Sequence, residues 1–136
     1  MATLDQFSRR IVRLAGRLDR SVERFVGQIA IAVDREVVLA TPVDTSRARA
    51  NWLPSLNAPN LSAEPNTFSP DGGVSIARTV AVASRYRLGS KIYITNSLWY
   101  IEHLNRGGSP QAPAGYVGTA IDRGISVARA LGLRGL

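Results

Sequence analysis

Apolar residues recur at steps of three and four through the first third of the chain. The members of this stripe are Leu4, Phe7, Ile11, Leu14, Leu18, Val22, Phe25, Ile29 and Val33. Such spacing predicts one long amphipathic helix over residues 3–40. Thr3 and Gln6 form a capping-box pattern at its start. Pro42 disfavours helix at Thr41 and so predicts its end.

A helix of that length would run about 55 Å, more than a compact domain of this size needs. We therefore expect that part of it packs on something outside the domain, or that it breaks near Gly16 or Gly27. Its polar side carries the arginines Arg9, Arg10, Arg13, Arg17, Arg20 and Arg24. This side is either a solvated helix face or a basic ridge that faces DNA or acidic subunits.

Two irregular segments follow the helix. Residues 42–56 predict a turn, capped by Asp44 or Thr45 and anchored by a buried Trp52, and then a short strand. Residues 54–73 are rich in proline and poor in apolar residues, which predicts an extended loop. Because such a loop is long for a compact domain, we expect it to be mobile or ordered by a partner.

Residues 74–131 predict a helix, a strand, a loop and a closing helix. The first helix would bury Ile76, Ala77, Val80, Ala83 and Ser84, although residues 79–82 could instead form a strand. Residues 91–95 (KIYIT) alternate as a half-buried strand does. The closing helix has apolar positions at helical spacing, which are Val117, Ile121, Ile125 (or Gly124), Ala128 and Leu131. Ala120 and Ala128 permit close packing. The whole pattern predicts an α+β, helix-rich single domain over residues 1–136.

Composition narrows the class of protein. The chain has 136 residues, of which 45% are hydrophobic, as in a folded domain. No apolar run approaches the roughly 20 residues that cross a bilayer, and the N-terminus lacks the apolar core of a signal peptide. The absence of cysteine excludes disulfides and thiolate metal sites. Sixteen arginines and one lysine against ten acids give a net charge of +7, which favours an anionic partner such as nucleic acid or an acidic protein surface.

The densest stretch is residues 96–117, which combine aromatic residues, glycines, prolines and the single histidine, His103. From a short helix or turn, Trp99, Tyr100 and Leu104 are able to reach the core. His103 beside Glu102 could in principle act as a base and its orienting group. The sequence offers no nucleophile elbow, no HExxH pair and no phosphate-binding loop. We therefore expect no catalytic, metal or cofactor site.

Two motifs together carry a family resemblance. They are residues 41–52 (TPVDTSRARANW), here called the first motif, and residues 92–117 (IYITNSLWYIEHLNRGGSPQAPAGYV), here called the second motif. In this order, after a long N-terminal helix and before a closing helix, they resemble the neck and tail-completion proteins of tailed bacteriophages. The family pattern has a TPVDTG-like turn, an I-x-N-x-x-x-Y strand end and a Q-A-P-x-G loop. Ser46 stands where glycine is commoner.

The resemblance implies a structural protein of the virion neck or tail. Such a subunit forms a hexameric or dodecameric ring that completes the tail and joins head to tail around the DNA channel. Its partners would be further copies of itself, portal or connector proteins, and the tail tube or tail terminator protein. We also expect non-specific contact with DNA in the channel. We expect no contact with a membrane and no bound cofactor. The protein would lie in the virion, and in the host cytoplasm during assembly.

The interface residues that the two motifs suggest are Pro42, Asp44, Thr45, Arg47, Arg49, Trp52, Asn96, Trp99, Tyr100, Glu102, Gly107, Ser109, Gln111 and Pro113. Two other functions stay open. One is a tail-terminator ring, which caps growth of the tail tube. The other is a basic nucleic-acid-binding protein, whose binding would depend on salt.

Overall fold

The computed structural model describes residues 3–43 and 46–135, with side chains described as far as Gly132. In chain order the elements are α1 (Leu4–Ala40), α2 (Arg47–Ala50), β1 (Leu53–Leu56), α3 (Gly73–Ala83), β2 (Ile92–Thr95), α4 (Ile101–Asn105) and α5 (Tyr116–Gly135). The fold is α+β and rich in helix, with a long N-terminal helix, a small sheet and a C-terminal helix. This confirms the predicted fold class.

Helix α1 is continuous over its whole length, so the alternative of a break at Gly16 or Gly27 is wrong. Its start is the capping box that the sequence predicts. Thr3 Oγ1 accepts a hydrogen bond from the Gln6 amide at 3.2 Å, and Gln6 Oε1 accepts one from the Thr3 amide at 2.9 Å. At the other end Thr41, which precedes Pro42, has extended backbone angles.

The two strands form an antiparallel ribbon in which Leu53 pairs with Thr95 and Leu56 pairs with Ile92. A two-stranded ribbon is marginal alone and needs another element to cover it. Here the cover comes from the helices, because Ile94 packs on the core cluster of Val37, Val38, Trp52 and Ala120. The C-terminal part of α1 is therefore the centre of the fold.

Helix α5 runs antiparallel to α1 and touches it through small residues. The buried positions of α5 recur every fourth residue and are Tyr116, Ala120, Gly124, Ala128 and Gly132. A Cβ at Gly124 would lie 2.5 Å from Val33 Cα, so the two backbones are in contact there. A Cβ at Gly132 would lie 2.1 Å from the Phe25 ring.

The predicted apolar side of α5 is therefore right in part, since the alternative Gly124 and the small residue Ala120 are buried. Ala128 is buried and Val117 packs on the core, but Ile121, Ile125 and Leu131 are exposed. The reason is steric, because side chains of that size cannot fit where two helix backbones approach so closely.

Helix α3 packs on α1 where Gly27 lies against Ala83. Its buried residues are Ser75, Thr79 and Val82, whereas the predicted inward residues Ala77, Val80 and Ser84 are exposed. Two of these buried residues, Ser75 and Thr79, carry hydroxyl groups. The Ser75 hydroxyl, for example, donates a hydrogen bond of 2.6 Å to the Arg49 carbonyl.

Candidate functional site

The structure brings the first and second motifs together. The backbone amide of Val43 donates a hydrogen bond of 2.8 Å to Gln111 Oε1. Asn96 Nδ2 donates one of 3.0 Å to the carbonyl of Ala48. Each motif thus supplies a side chain or a backbone group that the other one needs. Their co-occurrence in the sequence has a physical basis, which is that they form one structural unit.

Arg49 holds the end of α1 against the turn that follows. Its guanidinium donates to three carbonyls, those of Leu39 at 2.8 Å, Thr41 at 2.8 Å and Pro70 at 2.7 Å. The last carbonyls of a helix lack partners within the helix, and a cation there also interacts favourably with the helix dipole. Burial lowers the pKa of Arg49, while the charge of Asp71 opposes that shift. Arg49 is therefore a structural clamp inside the chain.

A buried polar cluster lies beneath the first motif. Thr41 Oγ1 accepts a hydrogen bond of 2.9 Å from Trp52 Nε1 and donates one of 2.7 Å to the Val37 carbonyl. The ring of Tyr116, at the start of α5, is buried beside this group. Burial raises the pKa of the Tyr116 hydroxyl, and Thr41 lowers it by a smaller amount. Trp52 is thus a buried anchor, as predicted.

The turn of the first motif is left-handed. Ser46 has φ +57°, the region in which glycine is the usual residue, and it precedes α2 without a side-chain capping bond. The predicted caps, Asp44 and Thr45, lie outside the described residues. Pro42 is buried, and the Arg47 guanidinium lies 5.4 Å from the centre of the Phe68 ring.

Residues 54–73 are held by the chain itself, so order in this loop does not need a partner. Asn51 donates to the carbonyls of Arg47 and Glu64, at 2.9 and 3.0 Å, and accepts from the Glu64 amide at 2.7 Å. Arg78 completes the attachment with an ion pair to Glu64 and a hydrogen bond of 2.9 Å to the Ala50 carbonyl. The carbonyl of Asn60 also accepts a hydrogen bond from the Thr95 hydroxyl.

Trp99 does not reach the core, since 89% of its surface is exposed. Asn96 Oδ1 accepts a hydrogen bond of 3.2 Å from the Leu98 amide, and this turn places Leu98 inside. The next residue then points outward. The Trp99 ring is stacked edge-on against Tyr100, with ring centres 5.3 Å apart. Tyr100 and Leu104 are half-buried.

The rest of the second motif shapes the backbone. Glu102 is exposed, with a carboxylate oxygen 3.4 Å from the Arg106 guanidinium. Gly107 has φ +95°, where a side chain would be strained. Ser109 is buried and its hydroxyl accepts from the Gln111 amide at 3.2 Å, while Pro113 is exposed.

Exposed large apolar residues recur along residues 4–24 of α1, here called the arm. It is outlined by Leu4, Phe7, Ile11, Leu14, Leu18 and Val22, which are between 45% and 83% exposed. Single exposed apolar residues are ordinary, but a continuous stripe of them marks an interaction surface. The six predicted basic-face arginines (Arg9, Arg10, Arg13, Arg17, Arg20 and Arg24) are exposed on the same arm. At 3.6 residues per turn, all six lie on one side of the helix.

Sequence reasoning missed one buried acid. Asp34 is fully buried where α1 meets α3, and burial raises the pKa of its carboxyl from 3.8 to about 7. The Thr79 hydroxyl is close enough to lower that pKa in part. Within the described residues, however, neither group forms a hydrogen bond of good geometry. The sequence did indicate burial of this acid, because Asp34 is the one acid in the apolar run of residues 29–34.

Within residues 3–43 and 46–135, no three histidine or acidic side chains are grouped as a metal site would need. Among the helices described, none combines the length and the apolar character that a membrane span requires. Comparison of the chain with protein-family models found no match, and comparisons with curated proteins and with solved structures also found none.

Proposed function

We propose that this chain is a structural, non-catalytic subunit of the tailed-phage neck. In this proposal, copies of it form a ring that completes the tail and joins the head to the tail around the DNA channel. The observation that carries the proposal is the arm, where six large apolar side chains lie in a stripe and are between 45% and 83% exposed. A surface of this kind is stabilised when another chain covers it.

The exposed Trp99 supports an assembly role independently of the arm. Exposed tryptophans on well-supported turns are frequent anchors of protein interfaces, and each can contribute about 2 kcal/mol or more when it is desolvated. The Trp99 ring lies edge-on against the Tyr100 ring, and the preceding residue Leu98 is buried. The burial of Leu98 anchors the turn from which Trp99 projects.

The placement in a phage neck rests on the resemblance of the two motifs, which the chain joins by hydrogen bonds between Val43 and Gln111 and between Asn96 and Ala48. The partners in this role are further copies of the chain, portal or connector proteins and the tail tube or terminator protein. The arginine side of the arm suits contact with DNA or with acidic subunits. The location that follows is the virion, after assembly in the host cytoplasm.

The test is an assembly assay in which heads and tails are joined in the presence of the chain. Trp99→Ala should leave the purified protein folded, because the side chain contributes little to the core, and should reduce the yield of joined particles counted by electron microscopy. Leu88→Ala, which truncates another exposed apolar residue outside both motifs, is the matched control. Full joining with Trp99→Ala, combined with full joining after charged substitutions on the arm, would sink the proposal.

The loop of residues 54–73 is a further proposed contact, to an adjacent ring. Deleting much of it would remove Asn60 and Glu64, which attach it to the body. Leu61, which is 72% exposed, is the better probe. Leu61→Asp should weaken binding to the neighbouring ring without unfolding the chain, and unchanged joining would remove the loop from the proposal.

A second candidate, nucleic-acid binding by the free chain, is favoured by the six arginines on one side of the arm. It predicts DNA binding that falls steeply with salt, with a slope set by the number of phosphates neutralised. A gel-shift or anisotropy titration at two salt concentrations separates the candidates, because the neck proposal expects rings to form without DNA. A tail-terminator ring differs from the proposed neck ring only in its position in the virion. Co-purification with either portal protein or tube protein would distinguish the two positions.

A further inference from the structure

Within the described residues, each strand of the ribbon is paired along one edge only. The Asn57 amide donates a hydrogen bond of 2.8 Å to the Lys91 carbonyl, in register with the ladder of β1 and β2. In an antiparallel pair, hydrogen-bonded and non-hydrogen-bonded positions alternate along each strand. Counted from Lys91, Tyr93 therefore directs its amide and its carbonyl towards β1. The amides and carbonyls of Ile92 and Ile94 point away from β1.

The outer edge of β2 is unpaired. Among the residues that the structure describes, no other backbone group forms a hydrogen bond with the outward groups of Ile92 and Ile94. The outer edge of β1 is less able to pair, because Pro54, which lies opposite Ile94, has no amide hydrogen to donate. An unpaired edge is a template to which another strand can add. The β2 edge is therefore the one that can accept a third strand.

An apolar groove lies directly beside this edge, between β2 and α1, with a volume of about 510 Å³. Its helix side is formed by four apolar residues, which are Val26, Ile29, Ala30 and Val33. Its opposite side is formed by residues 92–94 of β2. The groove therefore offers apolar surface to incoming side chains and a strand edge to an incoming backbone, which is the combination that binds extended peptides.

The groove is basic at the end where β2 begins. Residues 85–91, here called the basic turn, contain Arg85, Arg87 and Lys91 and no acid. All three cations are exposed, and Lys91 also lines the groove. The Arg87 guanidinium lies 3.9 Å from the Glu23 carboxylate, so this end keeps an excess of positive charge. An acidic residue in the occupant would be attracted to it.

We propose that the groove binds an extended acidic segment of another protein, which adds to β2 as a third strand. Its backbone pairs with the outward groups of Ile92 and Ile94. Apolar residues at alternate positions of the added strand cover Ile29 and Val33, because side chains on one face of a strand are two residues apart. An acidic residue at one end lies beside Lys91. The proposal does not require the neck function, since any partner with such a segment would fit.

Other occupants fit this groove less well. A second copy of this chain, paired edge to edge through β2, would bring the basic turns of two chains of net charge +7 to one interface. A small apolar molecule would fill the groove but leave the backbone groups of Ile92 and Ile94 unpaired. An extended acidic segment matches the charge, the apolar wall and the strand edge together.

Peptide binding to the full chain tests the proposal. The probe is a short synthetic peptide in which valine and threonine alternate and which ends in two aspartates, titrated by fluorescence anisotropy. Two further versions carry N-methyl groups on all the valines or on all the threonines. Since only one of these sets of amides can face β2, one version should lose most of its affinity and the other should keep it. Equal binding of all versions, or no saturable binding up to about 1 mM, would overturn the proposal.

Hydrogen exchange followed by NMR locates the added strand. In the chain alone, the amides of Ile92 and Ile94 should exchange faster than that of Tyr93, which is bonded to β1. The peptide should slow exchange at Ile92 and Ile94. Exchange that the peptide leaves unchanged would contradict the proposal. Protection that instead rises with the concentration of the chain alone would identify a second copy as the occupant, and would also overturn it.

Two substitutions test the contacts without removing a bond of the ladder. Ile92→Pro removes an outward amide and should weaken peptide binding at least about fivefold. Lys91→Glu should weaken it about two- to tenfold at low salt. Arg129→Glu, at an exposed position of α5, is the control for the change in net charge. Circular dichroism checks folding, and if Ile92→Pro does not fold, the comparison of Lys91→Glu with Arg129→Glu decides. Equal affinity of these two charge variants would refute the proposed contact.

Discussion

Gln111 accepts, through its side-chain Oε1, a hydrogen bond of 2.8 Å from the backbone amide of Val43, which lies 68 residues earlier in the chain. This contact joins the turn that follows α1 to the stiff loop that precedes α5. Both helices pack on one core, so the bond fixes the relative position of their connecting segments. The two sequence motifs are thereby parts of one support, from which Trp99 projects.

Gln111→Ala should destabilise the fold by about 1 kcal/mol, because the Val43 amide loses its protein acceptor but remains able to bind water. Urea unfolding followed by tryptophan fluorescence measures the change. Gln28→Ala, at an exposed position of α1, is the control and should change stability by less than about 0.5 kcal/mol. Equal effects of the two substitutions would show that the bond between the motifs adds nothing to stability.

Arg49→Lys should cost about 2–3 kcal/mol, although the charge is kept. A lysine ammonium cannot donate at once to the carbonyls of Leu39, Thr41 and Pro70, and hydrogen bonds from a charged group contribute about 1.5–3 kcal/mol each. Denaturant unfolding is again the measurement. Arg35→Lys, at an exposed position of α1, is the matched control. A lysine variant as stable as that control would mean that water satisfies these carbonyls equally well.

An element of this fold could be predicted from the sequence when the residues that determine it lie within the element itself. Helix α1 was predictable because its caps and its three-and-four spacing are contained within the helix itself. The inward side of α5 was predictable only in part, at Ala120, Ala128 and the alternative Gly124, because it is selected for small size. A pattern search for large apolar residues instead finds Ile121 and Ile125, which are exposed.

The exposure of Trp99 also depends on parts of the chain outside its own element. Residue type favours burial of tryptophan, but the turn set by Asn96 places Leu98 inside and its neighbour outside. That outcome depends on hydrogen bonds to Ala48 and Leu98, and the first of these comes from a distant part of the chain. Likewise, the clamp formed by Arg49 depends on carbonyls brought together by the fold.

Gly124→Ala should destabilise the protein by about 1–3 kcal/mol, because its methyl group would overlap the backbone of Val33 and force α5 away from α1. Gly118→Ala, in the same helix with nothing within 4 Å of the added atom, is the control. It should stabilise the protein by up to about 1 kcal/mol through helix propensity. Thermal unfolding should therefore shift in opposite directions for the two variants, and a shared direction would refute the close backbone contact.

Asp34 should make stability depend on pH. Its pKa is raised from 3.8 to about 7 in the folded chain, so between these values the folded state binds more protons than the unfolded state. The stabilisation is fully present below about pH 4 and is lost as the pH rises through about 7. The raised pKa corresponds to at most roughly 4 kcal/mol.

Asp34→Asn, which cannot ionise, should remove this dependence and leave the variant more stable than the unchanged chain at pH 8. Unfolding free energies measured at pH 5 and pH 8 test this. Asp122→Asn, at an exposed position of α5, controls for the general loss of a negative charge and should keep the slope of the unchanged chain. If Asp34→Asn also kept that slope, Asp34 would be ionised within the fold at both pH values. Thr79 together with water would then have to supply the hydrogen bonds that its carboxylate needs.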